Sequence, residues 1–215
     1  MTVKVKVCGI TRVSDALLAA DLGASAIGFV FWEKSPRYIE PDCAREIAAV
    51  LPADVAPIGV FVDPERGTVE DVARRVGLAG VQLHGDESAQ FCLALPYRVL
   101  KGVGLRDAAG VEQAARLPAR LTVLLDVADP VRKGGTGRAV DWELASRVAV
   151  QRRVFLAGGL TSANVAEAVH TVRPYGIDVS SSLETAPGIK DPERLRTFFD
   201  AVSAIEPVSE RPSDG

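Results

Sequence analysis

Short apolar runs rich in β-branched residues alternate with helix-patterned segments along almost the whole chain, and this alternation constrains the fold more than any other feature. Eight such runs occur, at residues 3–7, 26–31, 57–62, 80–83, 98–103, 121–127, 153–157 and 176–180. The segments between them carry apolar residues at helical spacing. Strands that are separated by helices pair in parallel. The sequence therefore predicts an α/β protein with a (β/α)8 barrel, and a doubly wound open sheet is the alternative.

The predicted barrel occupies residues 1–204 as a single domain, because no linker, low-complexity tract or residue-level repeat interrupts the series. Residues 205–215 lack apolar periodicity, and we expect them to form a flexible C-terminal tail. No sequence feature determines the oligomeric state, for which a monomer is favoured.

The charge, the cysteine content and the missing motifs limit the classes of partner. A formal net charge of −3 provides no basic field for nucleic acid and no polybasic segment for a membrane, so a small molecule is the expected partner. No apolar run approaches the ~18 residues of a membrane-spanning helix, and no leader precedes the first strand. Three widely spaced cysteines fit neither a disulfide framework nor a zinc site, which favours the reducing cytoplasm. HExxH, paired CxxC and GxGxxG motifs are missing, so we expect no metal and no cofactor.

The ends of the predicted strands carry the first candidate catalytic residues, because barrel active sites lie at the C-terminal ends of the strands. In the first strand Lys4, Lys6 and Cys8 share one face, while the alternating valines share the face suited to the helices. Cys8 is thus predicted to point inward at the catalytic rim, although a small buried hydrophobe is an equally good interpretation. Asp126 ends the sixth strand on the same inward face. Because a carboxylate is costly to remove from water, a functional role is the favoured interpretation of Asp126.

Three further residues near predicted strand ends are candidates for ligand binding. Gln82 and His84 share a face near the end of the fourth strand, where His84 is either a rim ligand or a structural hydrogen-bond partner. Arg37 follows the second strand among aromatic residues, and its planar guanidinium could grip a carboxylate. From the residues alone, a solvated surface arginine is the better interpretation of Arg37.

Glycine and serine clusters after the last two strands favour a phosphate site. Gly158 and Gly159 follow strand seven, with Thr161 or Ser162 expected as the N-cap of the next helix, and Ser180 and Ser181 follow strand eight. Loops at these positions of a barrel often hold a phosphate, and a tight turn is the alternative. After strand six, a loop with Gly134, Gly135 and Gly137 either closes over substrate or is a mobile surface loop.

Taken together, these motifs resemble the phosphoribosylanthranilate isomerase family of tryptophan biosynthesis. The resemblance covers residues 3–201 and rests on KVCGIT, FVFWEKSPRYI, GVQLHGDE, LLDV, GGTGRAVDW, LAGGLTSANV and GIDVSSSLETAPGIKD. It implies an Amadori rearrangement of N-(5-phosphoribosyl)anthranilate to 1-(2-carboxyphenylamino)-1-deoxyribulose 5-phosphate, with no metal or cofactor. An acid protonates the furanose ring oxygen, and a base removes the proton from C2′.

The resemblance also implies roles for individual residues. Asp126 matches the acid and Cys8 the base, while Arg37 matches the arginine that meets the anthranilate carboxylate. The other substrate-binding residues that we predict are Gln82, His84, Gly135, Gly137, Gly158, Gly159, Ser180 and Ser181. A thiol base needs positive neighbours, and Lys6 is expected to help, whereas Asp126 must arrive protonated, which burial favours.

The sequence departs from the family pattern at two positions. Val127 stands where the family often has serine, and Ser182 stands where it often has glycine, which could crowd the phosphate loop. Two alternatives stay open: another sugar-phosphate aminoaldose isomerase or epimerase, and a non-catalytic barrel that binds a phosphorylated ligand.

Overall fold

The computed structural model describes residues 3–127 and 140–206. Within these residues, eight parallel strands close into a barrel in chain order, each pairing with its sequence neighbours and β1 also with β8. The strands are β1 Lys4–Cys8, β2 Ala26–Val30, β3 Ala56–Phe61, β4 Gly80–Leu83, β5 Arg98–Gly104, β6 Thr122–Asp126, β7 Val154–Leu156 and β8 Gly176–Val179. Every predicted strand boundary lies within one residue of the observed one. The predicted barrel is confirmed, and the open sheet is excluded.

A helix follows each strand and covers the outside of the barrel. The helices are α1 Val13–Asp21, α2 Pro41–Ala48, α3 Arg66–Val76, α4 Ala89–Ala94, α5 Ala108–Arg116, α6 Trp142–Ala149, α7 Val165–Val172 and α8 Pro192–Ser203. Side-chain oxygens cap several helix starts, as when Asp107, Asp141 and Asp191 each accept two backbone N–H bonds. None of the helices in the described ranges is long and apolar enough to cross a membrane.

The alternation of side chains along β1 separates two kinds of surroundings, as the sequence predicts. Val5 and Val7 belong to the large core between strands and helices. Cys8 instead contacts Val30, Val60 and the partly buried Trp32 in a small cluster at the barrel mouth. The predicted inward direction of Cys8 is therefore confirmed.

Lys6, one layer below Cys8, makes an ion pair inside the barrel. Its side chain is 1% exposed, and Nζ donates to Asp178 Oδ1 on β8 at 2.9 Å. The register places Lys6 directly beside Asp178 across the β1–β8 pair. Glycine at position 28 makes room for this arrangement, because a Cβ there would lie 2.9 Å from both Cys8 Sγ and Lys6 Nζ.

A short hairpin follows β8 and was not predicted. After a 3₁₀ turn at Ser181–Leu183, β9 Glu184–Ala186 pairs antiparallel with β10 Ile189–Lys190. The hairpin is tied to the start of the chain, since Thr11 Oγ1 donates to Gly188 O at 2.6 Å and Lys190 N to Asp15 Oδ2 at 2.8 Å. Strands this short show no alternation that a sequence pattern could reveal.

Two of the predictions concern residues outside the described ranges. Gly135 and Gly137 belong to residues 128–139, and the tail expected from residue 205 lies mostly beyond residue 206. The covering loop and the flexible tail therefore stay predictions.

Candidate active site

A cavity of about 810 Å³ opens at the C-terminal ends of the barrel strands, a size typical of small-molecule sites. It brings together all the predicted site residues that the structure describes, from strands far apart in sequence. They are Cys8, Arg37, Gln82, His84, Asp126, Gly158, Gly159, Ser180 and Ser181. The strand-end rule thus located the cavity correctly.

Cys8 ends β1 on the cavity floor with 8% of its surface exposed. Burial disfavours the charge of Lys6, but Asp178 and Cys8 outweigh burial, so the pKa of Lys6 is raised and its ammonium stays charged. Lys6 lowers the pKa of Cys8, as expected. Burial of the thiol is the larger effect, and the pKa of Cys8 is raised overall. Lys6 therefore helps the thiolate, as expected, but does not outweigh burial in the resting protein.

Asp126 ends β6 and is held by two neighbours that can donate hydrogen bonds. Its Oδ1 accepts the N–H of Val127 at 2.7 Å, and Oδ2 lies 3.4 Å from His84 Nε2. His84 Nδ1 lies 3.0 Å from the amide nitrogen of Gln82. An amide N–H that donates to Nδ1 would leave the imidazole proton on Nε2, the nitrogen that faces Asp126. His84 is thus a hydrogen-bond partner that also lines the cavity, and its role in ligand binding stays a prediction.

Arg37 is fixed at the cavity edge by Glu184, a residue that sequence reasoning missed. Nε donates to the two carboxylate oxygens at 2.9 and 3.1 Å, and Nη2 donates to Oε2 at 2.7 Å. Only 16% of the arginine side chain is exposed, so the interpretation as a solvated surface arginine is wrong. Burial disfavours the charge of Glu184, but Arg37 and Lys190 outweigh burial and lower the pKa of Glu184.

Lys190 on β10 joins Glu184 to the end of β1. Its side chain is completely buried, and Nζ donates to Glu184 Oε1 and to the carbonyl oxygen of Cys8, both at 2.7 Å. Burial lowers the pKa of Lys190. The hydroxyl of Ser180 donates to the same carbonyl at 2.9 Å. Lys190 and the serine loop therefore share one backbone acceptor, the carbonyl oxygen of Cys8.

The loop after β7 offers backbone donors to an anion. Gly158 and Gly159 have φ angles of 82° and 66°, a conformation that favours glycine, and neither N–H has a hydrogen-bond partner within the described residues. Asn164 braces the loop, because its side chain accepts from Thr161 N and donates to Gly159 O. Asn164 also takes the N-cap position of α7, so the expected cap at Thr161 or Ser162 is wrong.

Ser182, where the sequence departs from the family pattern, lines the cavity beside Ser180 and Ser181. Its Oγ is buried and has no hydrogen-bond partner in the part of the chain that the structure describes.

Asp178 lines the cavity too and could have been found from the sequence. It precedes Ser180 by two residues in strand eight, so parity places both on the inward face. By contrast, Glu184 and Lys190 belong to a hairpin without a recognisable pattern.

Comparisons with known proteins agree on one family. Residues 5–201 match the family described as N-(5'-phosphoribosyl)anthranilate (PRA) isomerase. The N-(5'-phosphoribosyl)anthranilate isomerase of Pelobacter propionicus is 45% identical over 197 residues, which are 92% of this chain and 94% of that protein.

Solved structures lead to the same family. A phosphoribosyl anthranilate isomerase structure from Thermotoga maritima is 40% identical with a TM-score of 0.88, over 94% of this chain and 99% of that one. A second structure, in complex with reduced 1-(o-carboxyphenylamino)-1-deoxyribulose 5-phosphate, is 38% identical with a TM-score of 0.85 and the same coverage. The family match and the relatives together show that the chain belongs to the N-(5'-phosphoribosyl)anthranilate isomerase family.

Proposed function

We propose that the chain converts N-(5-phosphoribosyl)anthranilate into 1-(2-carboxyphenylamino)-1-deoxyribulose 5-phosphate in tryptophan biosynthesis, with Asp126 as acid and Cys8 as base. The observation that supports these roles is their common cavity, which is lined by the thiol, the carboxylate, the glycine and serine loops and the arginine. Such a lining suits a sugar that carries both a phosphate and an aromatic carboxylate.

The cavity lining suggests how the substrate lies in it. The N–H groups of Gly158 and Gly159, with the serine loop after β8, take the phosphate. Arg37 takes the anthranilate carboxylate, and the apolar cluster with Trp32 lies beside Cys8, where the aromatic ring can pack. The ribose then lies over the floor, between β1 and β6.

Asp126 starts the reaction as a protonated acid. Its proton goes to the furanose ring oxygen, the bond from that oxygen to C1′ breaks, and the nitrogen lone pair forms a protonated Schiff base with C1′. Asp126 becomes a carboxylate, which the N–H groups of Val127 and His84 stabilise. Gln82 keeps the proton of His84 on the nitrogen that faces Asp126.

Cys8 completes the rearrangement as a thiolate, which forms when the thiol loses its proton to solvent before the C2′ proton is taken. The positive charge of the Schiff base and the ammonium of Lys6 both favour the thiolate at the moment when it is needed. Cys8 takes the proton from C2′, and the electrons of that bond form the C1′–C2′ double bond of a neutral enolamine. Asp126 then takes the C2′ hydroxyl proton and Cys8 gives its proton to C1′, which yields the ketose and leaves Asp126 protonated and Cys8 a thiolate, as they were at the start of the chemistry.

The partners and the compartment follow from the same reasoning. A phosphorylated small molecule is the substrate, the chemistry is carried by side chains without metal or cofactor, and a monomer is favoured over an oligomer. The three cysteines are free, which supports a reducing compartment, the cytoplasm.

The test is steady-state kinetics with substrate made in situ from anthranilate and ribose 5-phosphate, followed by the loss of anthranilate fluorescence. Cys8→Ala and Asp126→Asn should each lower kcat by about 10² to 10⁴-fold, because a general acid or base contributes that much. Cys92→Ala is the matched control, since Cys92 is a buried cysteine on α4 and does not line the cavity. Near-native kcat in either site variant would contradict the assignment.

A further inference from the structure

Only part of the Arg37 guanidinium is available to a ligand, because Glu184 accepts hydrogen bonds from the rest. The contacts to Glu184 use Nε and Nη2, and Nη1 has no hydrogen-bond partner among the residues of the described ranges. A guanidinium has five N–H donors in a fixed plane. Glu184 therefore leaves Nη1 and the second hydrogen of Nη2, which form one edge suited to a carboxylate.

Glu184 is itself held firmly, so it can act as a fixed support. Lys190 Nζ donates to Oε1 at 2.7 Å, and the N–H of Gly188 donates to the same oxygen at 3.3 Å. The carboxylate is almost fully buried, as is the Lys190 ammonium. Few rotamers are open to a side chain with this many charged bonds.

The charges of the network also matter for the ligand. Arg37 and Lys190 contribute two positive charges and Glu184 one negative charge, so the three groups leave one positive charge for a single carboxylate. Without Glu184, the two cations would repel each other, since Arg37 already disfavours the charge of Lys190.

We infer that Glu184 is a positioning residue that orients Arg37 and thereby selects substrates with a carboxylate on the aromatic ring. Glu184 acts through Arg37, and its effect appears in ligand binding rather than in proton transfer. The inference rests on the proposed function, in which Arg37 takes the anthranilate carboxylate. The competing interpretation is that Glu184 only ties the β9–β10 hairpin to the barrel.

Two ligands that differ by one carboxylate separate these interpretations. The first is reduced 1-(o-carboxyphenylamino)-1-deoxyribulose 5-phosphate, and the second is the same compound with a plain anilino group. Calorimetry gives the Kd of each ligand for the wild type, for Glu184→Gln and for Arg37→Ala. Melting temperatures measured alongside show that each variant is folded.

Glu87→Gln is the matched control. Like Glu184, Glu87 is a buried glutamate in an ion pair, with Lys101 at 2.8 Å, but it does not line the cavity. It should leave both Kd values unchanged.

We expect Glu184→Gln to weaken binding of the carboxylated ligand about tenfold or more, as for the loss of a charged hydrogen bond, and to change Kd for the anilino ligand less than about twofold. Combining it with Arg37→Ala should add little further loss, because both changes remove the same interaction. Equal weakening for both ligands, or no weakening for either, would overturn the inference. If instead the wild type itself fails to distinguish the two ligands, the role of Arg37 in the proposed function is wrong.

Discussion

Replacing Lys6 with methionine removes the ammonium that lies buried below Cys8, and it leaves Asp178 without its partner. Breaking a buried pair in this way costs about 3 to 5 kcal/mol of the free energy of unfolding. The double variant Lys6→Met/Asp178→Leu removes both charges and should regain most of that loss, because apolar side chains of similar volume often replace a buried pair without cost. Chemical denaturation measures both effects.

The free energies of unfolding of the wild type and the two variants can be compared at pH 7. Burial opposes the charge of Lys6, but its partners raise the pKa above the ordinary value of 10.5. A raised lysine pKa stabilises the folded state fully at pH values below 10.5, and the contribution is lost only as the pH rises through the folded-state pKa. The free energy of unfolding at pH 7 thus contains the whole contribution of Lys6.

The reactivity of Cys8 should change in a different way from stability. Lys6 favours the thiolate of Cys8 by its charge and by a hydrogen bond, and Asp178 offsets part of this effect. Hydrogen bonds to charged groups contribute about 1.5 to 3 kcal/mol. The alkylation pH is defined as the pH at which iodoacetamide reacts with Cys8 at half its maximal rate. We therefore expect the alkylation pH to rise by about one unit or more in both variants, since one unit is about 1.4 kcal/mol.

Alkylation is best measured in a Cys43→Ser background, because Cys43 is exposed, with mass spectrometry locating the label on Cys8. Restored stability with a still raised alkylation pH in the double variant would separate the two effects of Lys6. An unchanged alkylation pH in both variants would refute the reasoning that Lys6 favours the thiolate.

The remaining predictions concern two neighbours of the acid and the base. Gly28→Ala would place a Cβ 2.9 Å from Cys8 Sγ and Lys6 Nζ, so we expect a loss of about 1 to 3 kcal/mol of unfolding free energy and a lower kcat. Gly67→Ala on α3, where a Cβ would meet nothing within 4 Å, should leave kcat unchanged, and equal kcat in the two variants would contradict the prediction. His84→Ala removes one donor that faces Asp126 and should lower kcat about tenfold or more while changing KM little. Steady-state kinetics checks this, and a change in KM alone would point to substrate contact instead.

The features that the sequence predicted correctly depend on local regularity. Cys8 and Asp126 were found because side chains alternate with a period of two along a strand, and a closed barrel turns that alternation into inside and outside. Asp178 follows the same rule, and applying the rule to strand eight would have identified it as an inward-facing residue.

The features that the sequence did not reveal depend on contacts between distant segments. Arg37 and Glu184 are 147 residues apart, and neither lies on a barrel strand. The hairpin that folds against Arg37 decides whether this side chain is solvated or buried. No periodic pattern in the sequence predicts that hairpin. The resting state of Cys8 also escaped prediction, because it depends on how much burial opposes the effect of Lys6.

Because the hairpin after β8 lies near the end of the chain, the site can be complete only after almost the whole chain has been synthesised. Lys190 reaches the carbonyl of Cys8 across 182 residues of sequence, and Glu184 reaches Arg37 across 147. A ribosome that has synthesised only the first half of the barrel has therefore produced Cys8 and Arg37 but not Glu184 and Lys190, which hold them in place. Catalytic activity in a refolding or translation experiment would report the closure of the whole barrel, and it would appear after the signals of helix and strand formation.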